Sequence, residues 1–252
     1  MEKETRNKAI KVAMEIGKNM LMNGAETYRV EDSMARVLES FGYGASNIFV
    51  IPTCIIITLE SEEEPVTFME RIVPGSIDLE RIAMSNQLSR DITEKRRSVD
   101  DAAEEIKKIE KVPMYPEWVR CIGAGVAGGF FTLLFRGSFL SFLLSTVGAI
   151  FTLWLVNRAD QMRLNFFVKN MIGGLAAGLV GIAAARMFGD RVEMGAVIVG
   201  PLMTLVPGVA FANGIRDVIS GELLSGATRI TEAIFIAIGI AFGVGFALKI
   251  LG

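Results

Sequence analysis

The sequence contains no histidine and only two cysteines, Cys54 and Cys121. Histidine and cysteine build most zinc sites and most activated nucleophiles, so the common zinc arrangements and the Ser-His and Cys-His catalytic pairs are excluded. The sequence also lacks the Gly-x-x-x-x-Gly-Lys-Ser/Thr loop that cradles nucleotide phosphates. We therefore expect a protein that is not an enzyme and that holds no cofactor and no metal.

Net positive charge is missing from the first half of the chain. Residues 1–117 contain 16 Lys and Arg and 22 Asp and Glu, a net charge of 16 − 22 = −6, whereas residues 118–252 contain 10 and 6, a net of +4. An acidic half argues against a nucleic-acid partner, which requires clustered positive charge. The first 20 residues also lack the apolar core of a secretory signal, so we expect a cytoplasmic start.

The acidic half predicts an α+β domain. Helical spacing before residue 41 and after residue 78 encloses three runs rich in β-branched residues, which gives the order ααβββαα. An acidic turn at 61–64 joins the last two strands, and the predicted N-caps of three helices are Thr27, Asp78 and Ser98. We predict a cytoplasmic domain at 1–112, a linker at 113–117 and a transmembrane domain at 118–252.

The second half is predicted to be α-helical and polytopic. Each of five apolar segments approaches the roughly 20 residues that cross a bilayer, and they lie at 118–135, 138–156, 166–188, 193–213 and 228–250. Basic residues concentrate in the loop predicted after the second span and in the loop predicted after the fourth span. The latter loop holds Arg216 and Arg229. The positive-inside rule then predicts a multi-pass inner-membrane protein with its N-terminus in the cytoplasm and its C-terminus outside.

The fourth span is interrupted by Pro207-Gly208. Proline removes a backbone donor and glycine permits a reversed backbone, so the span is either a kinked helix or a discontinuous helix whose free backbone groups bind a substrate. Charged residues follow the break, and charge at membrane depth marks a functional site. The candidate substrate-binding or gating residues are Pro207, Gly208, Asn213, Arg216, Asp217, Arg229 and Glu232.

Several local motifs occur in order along nearly the whole chain. They are Asn23-Gly24-Ala25-Glu26-Thr27, Val30-Glu31-Asp32, Ile51-Pro52-Thr53, Asn86 with Leu88-Ser89-Arg90, Tyr115-Pro116-Glu117-Trp118, Leu205-Val206-Pro207-Gly208, and Asn213, Arg216-Asp217, Gly221, Gly226, Arg229 and Glu232-Ala233. In that order and at that spacing they resemble the N-terminal half of the threonine/serine exporter family. The string that begins at Pro207 is the specific part of the resemblance.

The resemblance implies a secondary exporter of small polar metabolites such as threonine and serine. Longer members carry both halves in one chain, whereas split members pair such a subunit with a second small membrane protein that resembles the C-terminal half. Some split members look like dicarboxylate (succinate) exporters, which is the alternative substrate class. The implied partners are a small carboxylate-bearing metabolite, the lipid bilayer and the second subunit, in an oligomer. The alternative from another class is a membrane-anchored enzyme or sensor.

The candidate side chains have two interpretations each. Arg216-Asp217 is either a loop arginine with a capping aspartate or a clamp, because a guanidinium forks onto a carboxylate. Arg229 and Glu232 lie three residues apart on a helix and could pair. Glu232 is the deepest acid that the sequence places, and the candidate carrier if a proton drives transport.

The junction of the first two helices also has two interpretations. It is either a simple turn with an N-cap or part of an inner gate against the membrane loops. The sequence does not distinguish them. The cytoplasmic gate candidates are Gly24, Ala25, Glu26 and Thr27.

Overall fold

The computed structural model describes residues 2–44, 46–60 and 65–251. Its elements in chain order are α1 (Glu2–Met22), α2 (Thr27–Ser40), β1 (Ser46–Ile51), β2 (Cys54–Leu59), β3 (Val66–Arg71), α3 (Leu79–Thr93), α4 (Val99–Glu110), α5 (Glu117–Leu134), α6 (Phe139–Gln161), α7 (Phe166–Phe188), a 3₁₀ turn (Gly189–Arg191), α8 (Met194–Met203), α9 (Gly208–Ile219) and α10 (Leu223–Leu251). The predicted order ααβββαα is confirmed. The acidic turn at 61–64 lies outside the described residues.

The chain divides into two compact units. The first contains Met1–Met114 together with Val209–Ile230, and the second contains Tyr115–Gly208 together with Thr231–Gly252. Residues 209–230, which the sequence pattern assigns to the membrane half, therefore pack with the acidic domain. The division at 113–117 into a cytoplasmic and a membrane domain stays a prediction.

The first unit is built on a three-stranded antiparallel sheet in the order β1-β2-β3. One face of β2 is buried through Ile55, Ile57 and Leu59, because alternate side chains of a strand point to the same face. These residues join a single core with the buried faces of α1 and α2, including Ile16 and Met34. Each such side chain contributes about 1.5–3 kcal/mol by leaving water.

Two of the three predicted helix caps are present. Asp78 and Ser98 cap α3 and α4 with side-chain oxygens that accept backbone N–H groups. The prediction that Thr27 caps α2 is wrong, because Glu26 occupies the N-cap position and Thr27 is the first helical residue. The carboxylate of Glu26 does not cap the helix either, since two arginine side chains bind it.

Three helices in the described part of the chain are long and apolar enough to cross a membrane. They are α6, α7 with the 3₁₀ turn that follows it, and α10; α8 and α9 add a fourth if this broken pair forms one span. Helix α5 has 18 residues and carries Glu117 and Arg120 in its first turns, which lowers its mean hydropathy. The chain is thus a multi-pass membrane protein, and the predicted count of five spans is not confirmed.

Small residues bring α5, α6 and α8 together in the second unit. The hydroxyl of Thr132 donates to the carbonyl oxygens of Gly128 (2.9 Å) and Ala196 (3.3 Å), and the hydroxyl of Ser145 donates to Gly128 (3.3 Å). A Cβ atom added at Gly200 would overlap the hydroxyl oxygens of both Thr132 and Ser145. The glycine thus permits the close helix approach that stabilises packing in lipid.

We expect Gly200→Ala to destabilise the protein by about 1–3 kcal/mol, because the added methyl group overpacks this contact. The matched control is Gly195→Ala in the same helix, where a Cβ meets nothing within 4 Å. There the change should be neutral or stabilising by about 0.5–1 kcal/mol, since alanine favours helix. Thermal unfolding of the purified protein in detergent measures both. Equal shifts for the two variants would contradict the described packing.

Candidate functional site

The turn between α1 and α2 consists of Gly24, Ala25, Glu26 and Thr27. Gly24 has a φ of +95°, a conformation that only glycine adopts at no steric cost. The backbone N–H groups of Gly24 and Ala25 donate to carbonyl oxygens in the last turn of α1. The carbonyl oxygens of Gly24 and Ala25 are left to accept hydrogen bonds from elsewhere in the chain.

Residues 209–230 form a tight hairpin of α9 and the start of α10, here called the α9–α10 hairpin. Gly221 has a φ of +96° in the connection between the helices. A Cβ atom at Gly226 would lie 2.6 Å from the carbonyl oxygen of Gly214, so the close approach of the two helices requires glycine at position 226. The structure thus explains why glycine occupies positions 221 and 226 of the motif.

Each residue of the turn contacts one polar residue of the α9–α10 hairpin, and we call these four contacts the turn–hairpin cluster. Asn213 Nδ2 donates to the Gly24 carbonyl oxygen (2.9 Å), Arg229 Nη2 donates to the Ala25 carbonyl oxygen (2.6 Å), Arg216 Nη1 donates to Glu26 Oε1 (2.8 Å), and the Thr27 backbone N–H donates to Asp217 Oδ1 (3.0 Å). Four of the seven candidates near the break therefore contact the four gate candidates at the start of the chain. The partners in these contacts lie about 190–204 positions apart in the chain.

Asp217 is the buried centre of the cluster. Its side chain is fully buried, and its Oδ2 lies 3.2 Å from Nε of Arg229, which is only 9% exposed. Because Thr27 is the first residue of α2, the carboxylate lies at a helix N-terminus, where backbone N–H groups and the helix dipole favour negative charge. Asp217 thus supplies from α9 the side-chain cap that α2 lacks.

Glu26 and Arg216 form the accessible part of the cluster. The Arg216 side chain is 61% exposed although its partner carboxylate is 7% exposed, and Arg29 binds the second oxygen of Glu26 at 3.2 Å. Burial opposes ionisation of Glu26 most strongly, but its own backbone N–H and the Arg216 and Arg29 guanidiniums together hold the pKa of this carboxyl below its ordinary value of 4.5. Ionised Glu26 therefore stabilises the fold above pH 4.5, and this contribution is lost only as the pH falls through the lower folded-state pKa.

The structure shows on which face of α10 Glu232 lies, while its depth in the membrane stays a prediction. This residue is exposed, whereas Asp217 is fully buried. The physical reason is helix periodicity: Arg229 and Ala233, four residues apart, occupy the buried face of α10, and Glu232 lies off that face. A proton-carrying role for Glu232 stays a prediction.

Two further expectations concern the broken span. The sequence pattern places Arg216, Asp217 and Arg229 in a loop after the fourth span. This prediction is wrong, because Arg216 and Asp217 lie in α9 and Arg229 lies in α10. Pro207 lies between α8 and α9 and Gly208 begins α9, and both belong to the second compact unit. Neither is among the residues that the turn–hairpin cluster brings together, and their substrate-binding role stays a prediction.

The sequence pattern missed two features of the site. Arg29 was not proposed, although its position three residues after Glu26 on a helix is a signal for pairing. Glu31 in α2 was not proposed either; burial, and then the carboxylate of Glu222, raise its pKa above the ordinary value of 4.5. Nothing in the spacing of Glu31 and Glu222 indicates that one carboxylate affects the pKa of the other.

Apolar helices long enough to span a bilayer and buried charged residues between them are features of membrane transport proteins. The model of the ThrE family, whose description reads "Putative threonine/serine exporter", matches residues 11–251, so the chain belongs to this exporter family. No solved structure matches the chain.

Three relatives with names that describe a transport function match nearly the whole of this chain. The chain is 25% identical to the "Probable threonine/serine exporter" of Mycobacterium tuberculosis, over 96% of this chain and 46% of the relative. It is 21% identical to the "Threonine/serine exporter" of Corynebacterium glutamicum, over 95% and 50%. It is 20% identical to the "Probable succinate transporter subunit YjjP" of Escherichia coli, over 100% and 98%. The chain therefore spans about half the length of the first two and nearly all of the third.

We expect Asp217→Asn and Arg229→Gln each to destabilise the protein by about 3–5 kcal/mol, because each leaves an uncompensated buried charge or an unpaired partner. The double variant should cost clearly less than the sum, since it removes both charges. Arg216→Ala should cost about 0–1 kcal/mol, because most of that side chain is in water. Thermal unfolding in detergent gives all four values. Additive costs for Asp217 and Arg229 would show that they do not act as a pair.

Proposed function

We propose that this chain is a subunit of a secondary exporter that moves small carboxylate-bearing metabolites out of the cytoplasm, threonine- and serine-like amino acids first. The observation that supports the proposal is the ion pair of Arg216 and Glu26, in which the guanidinium is exposed and the carboxylate is buried. An exposed guanidinium bound to an internal carboxylate is a site that the carboxylate of a substrate can enter by exchange.

The exchange is energetically balanced. A substrate carboxylate offers Arg216 the same charge-assisted hydrogen bonds that Glu26 provides. Because the Arg216 side chain is 61% exposed, little desolvation separates the two arrangements. Glu26 keeps Arg29 as a partner when Arg216 leaves. The pair can therefore act as a gate that substrate opens, which is what alternating access requires.

The buried pair plays the complementary role. Asp217 and Arg229 are withdrawn from water and fix the hairpin against the turn, so a substrate has no low-cost way to separate them. Gate movement would thus be confined to side chains near Arg216, on a rigid support.

A dicarboxylate such as succinate is the second candidate substrate. The specific observation in its favour is the match over nearly the full length of a relative whose name contains "succinate transporter subunit". Two guanidiniums, of Arg216 and Arg29, meet at Glu26, and a substrate with two carboxylates would engage both.

We infer from the lengths and names of the relatives that this chain works with a second membrane subunit. The relative of matching length is named a subunit, and the exporters of about twice the length are matched over only half of their chains. The complex would lie in the inner membrane as an oligomer, with the N-terminus of this chain in the cytoplasm and its C-terminus outside.

The test is efflux of preloaded labelled serine, threonine and succinate from cells that express this chain alone or with a candidate partner subunit. Arg216→Ala should lower efflux about 10- to 100-fold, the loss expected for one charged hydrogen-bonding pair. Arg71→Ala, an exposed arginine at the end of β3, is the control and should export normally.

The preferred label would name the substrate class. If no label moves with any pairing, or if Arg216→Ala exports like Arg71→Ala at equal membrane abundance, the proposal is wrong. The membrane-anchored enzyme or sensor would then be the better hypothesis.

A further inference from the structure

A second basic site lies between α2 and α3 in the first unit and shares Arg29 with the proposed substrate gate. It is a pocket of about 200 Å³, smaller than the roughly 300–1,000 Å³ of sites for drug-sized ligands. The side chains that line it are all polar: Arg29, Asp32, Ser33, Arg36, Asn86, Ser89, Arg90 and Thr93.

The charge of the pocket is opposite to that of its surroundings. Three arginines and one carboxylate, Asp32, line it, a formal charge of 3 − 1 = +2 in a half of the chain with a net charge of −6. Arg36 binds Asp32 at 2.9 Å and Arg29 binds Glu26 at 3.2 Å. Arg90 has no ion-pair partner among the residues that the structure describes.

Neutral donors complete the pocket. Ser33 and Ser89 are buried. The Ser89 hydroxyl already donates to the carbonyl oxygen of Ser33 at 3.3 Å, so the neutral donors for a ligand are the Asn86 amide and the Ser33 hydroxyl. Arg90 alone does not indicate an anion site, since an arginine in the last turn of a helix also complements the helix dipole. Guanidiniums from both helices line one small polar pocket, and planar donors that converge on one space suit an anion.

We propose that this pocket binds a small soluble anion that carries carboxylate or phosphate groups, with Arg29, Arg36 and Arg90 as its charged ligands. Four of the motif residues lie here, Asp32, Asn86, Ser89 and Arg90, and the gate uses none of them. Binding of the anion does not rest on the proposed transport function, whereas its effect on the gate does.

The pocket and the gate share Arg29. An anion in the pocket competes with Glu26 for this guanidinium, and Glu26 in turn binds Arg216. By linkage, whatever weakens the hold of Glu26 on Arg29 strengthens anion binding, and bound anion alters the partners available to Glu26. The cytoplasmic concentration of the anion would thus bias the gate.

The binding test uses the full chain in nanodiscs of neutral lipid, titrated with inorganic phosphate and separately with succinate, by calorimetry and by thermal shift. We expect saturable binding that Arg90→Ala weakens at least about tenfold, as for loss of one charge-assisted contact. Arg90→Lys should retain part of the affinity, and Arg71→Ala should retain all of it. Because Arg90 is exposed, its replacement leaves the fold intact.

A second variant tests the shared arginine. Glu26→Gln removes the competing carboxylate and should tighten anion binding several-fold, about the effect of one partly exposed ion pair. The proposal is overturned if neither anion binds saturably, or if Arg90→Ala and Arg71→Ala bind equally well. It is also overturned if only discs of anionic lipid, without added anion, give an Arg90-dependent stabilisation. All readouts are binding on the chain alone, so a failure of efflux would leave them unaffected.

Discussion

A fully buried carboxylate, that of Asp217, joins two parts of the chain about 190 residues apart. A charge withdrawn from water is tolerated only when paired and hydrogen-bonded, and Asp217 meets this requirement with Arg229 and with the N-terminus of α2. The position of the turn is therefore fixed by the hairpin. Every other contact of the cluster depends on that placement, including the approach of Arg216 to Glu26.

Burial separates the roles of the two ion pairs. The pair of Asp217 and Arg229 is buried, so breaking it costs much free energy, as a structural support requires. In the pair of Glu26 and Arg216 the arginine is exposed to water, so the pair can rearrange at a small cost in free energy, as an exchangeable contact requires. A gate needs both kinds of interaction, because movement is useful only relative to a fixed frame.

Much of this architecture could be predicted from the sequence. Periodicity gives the helices and strands of the acidic domain, Pro207 gives the broken helix, and both halves of the cluster stand out as polar residues at turns or breaks. Contact of the turn with the membrane loops is one of two interpretations that the sequence leaves open. The individual residue pairs could not be predicted, because no local rule relates residues about 190 positions apart. The sequence pattern assigns the cap of α2 to Thr27, because it cannot show that Asp217 reaches α2 from a distant helix. It also cannot show which face of α10 is buried, because this helix is apolar on nearly all sides.

The most direct test of the central claim is a charge exchange, Glu26→Arg combined with Arg216→Glu, measured for stability in detergent and for efflux in cells. The exchange keeps an ion pair at the same place but removes the cation from the side that substrate would enter. We predict a folded protein, more stable than either single variant, with efflux still abolished. Restored efflux would contradict the account, because it would show that the pair acts only as a structural contact.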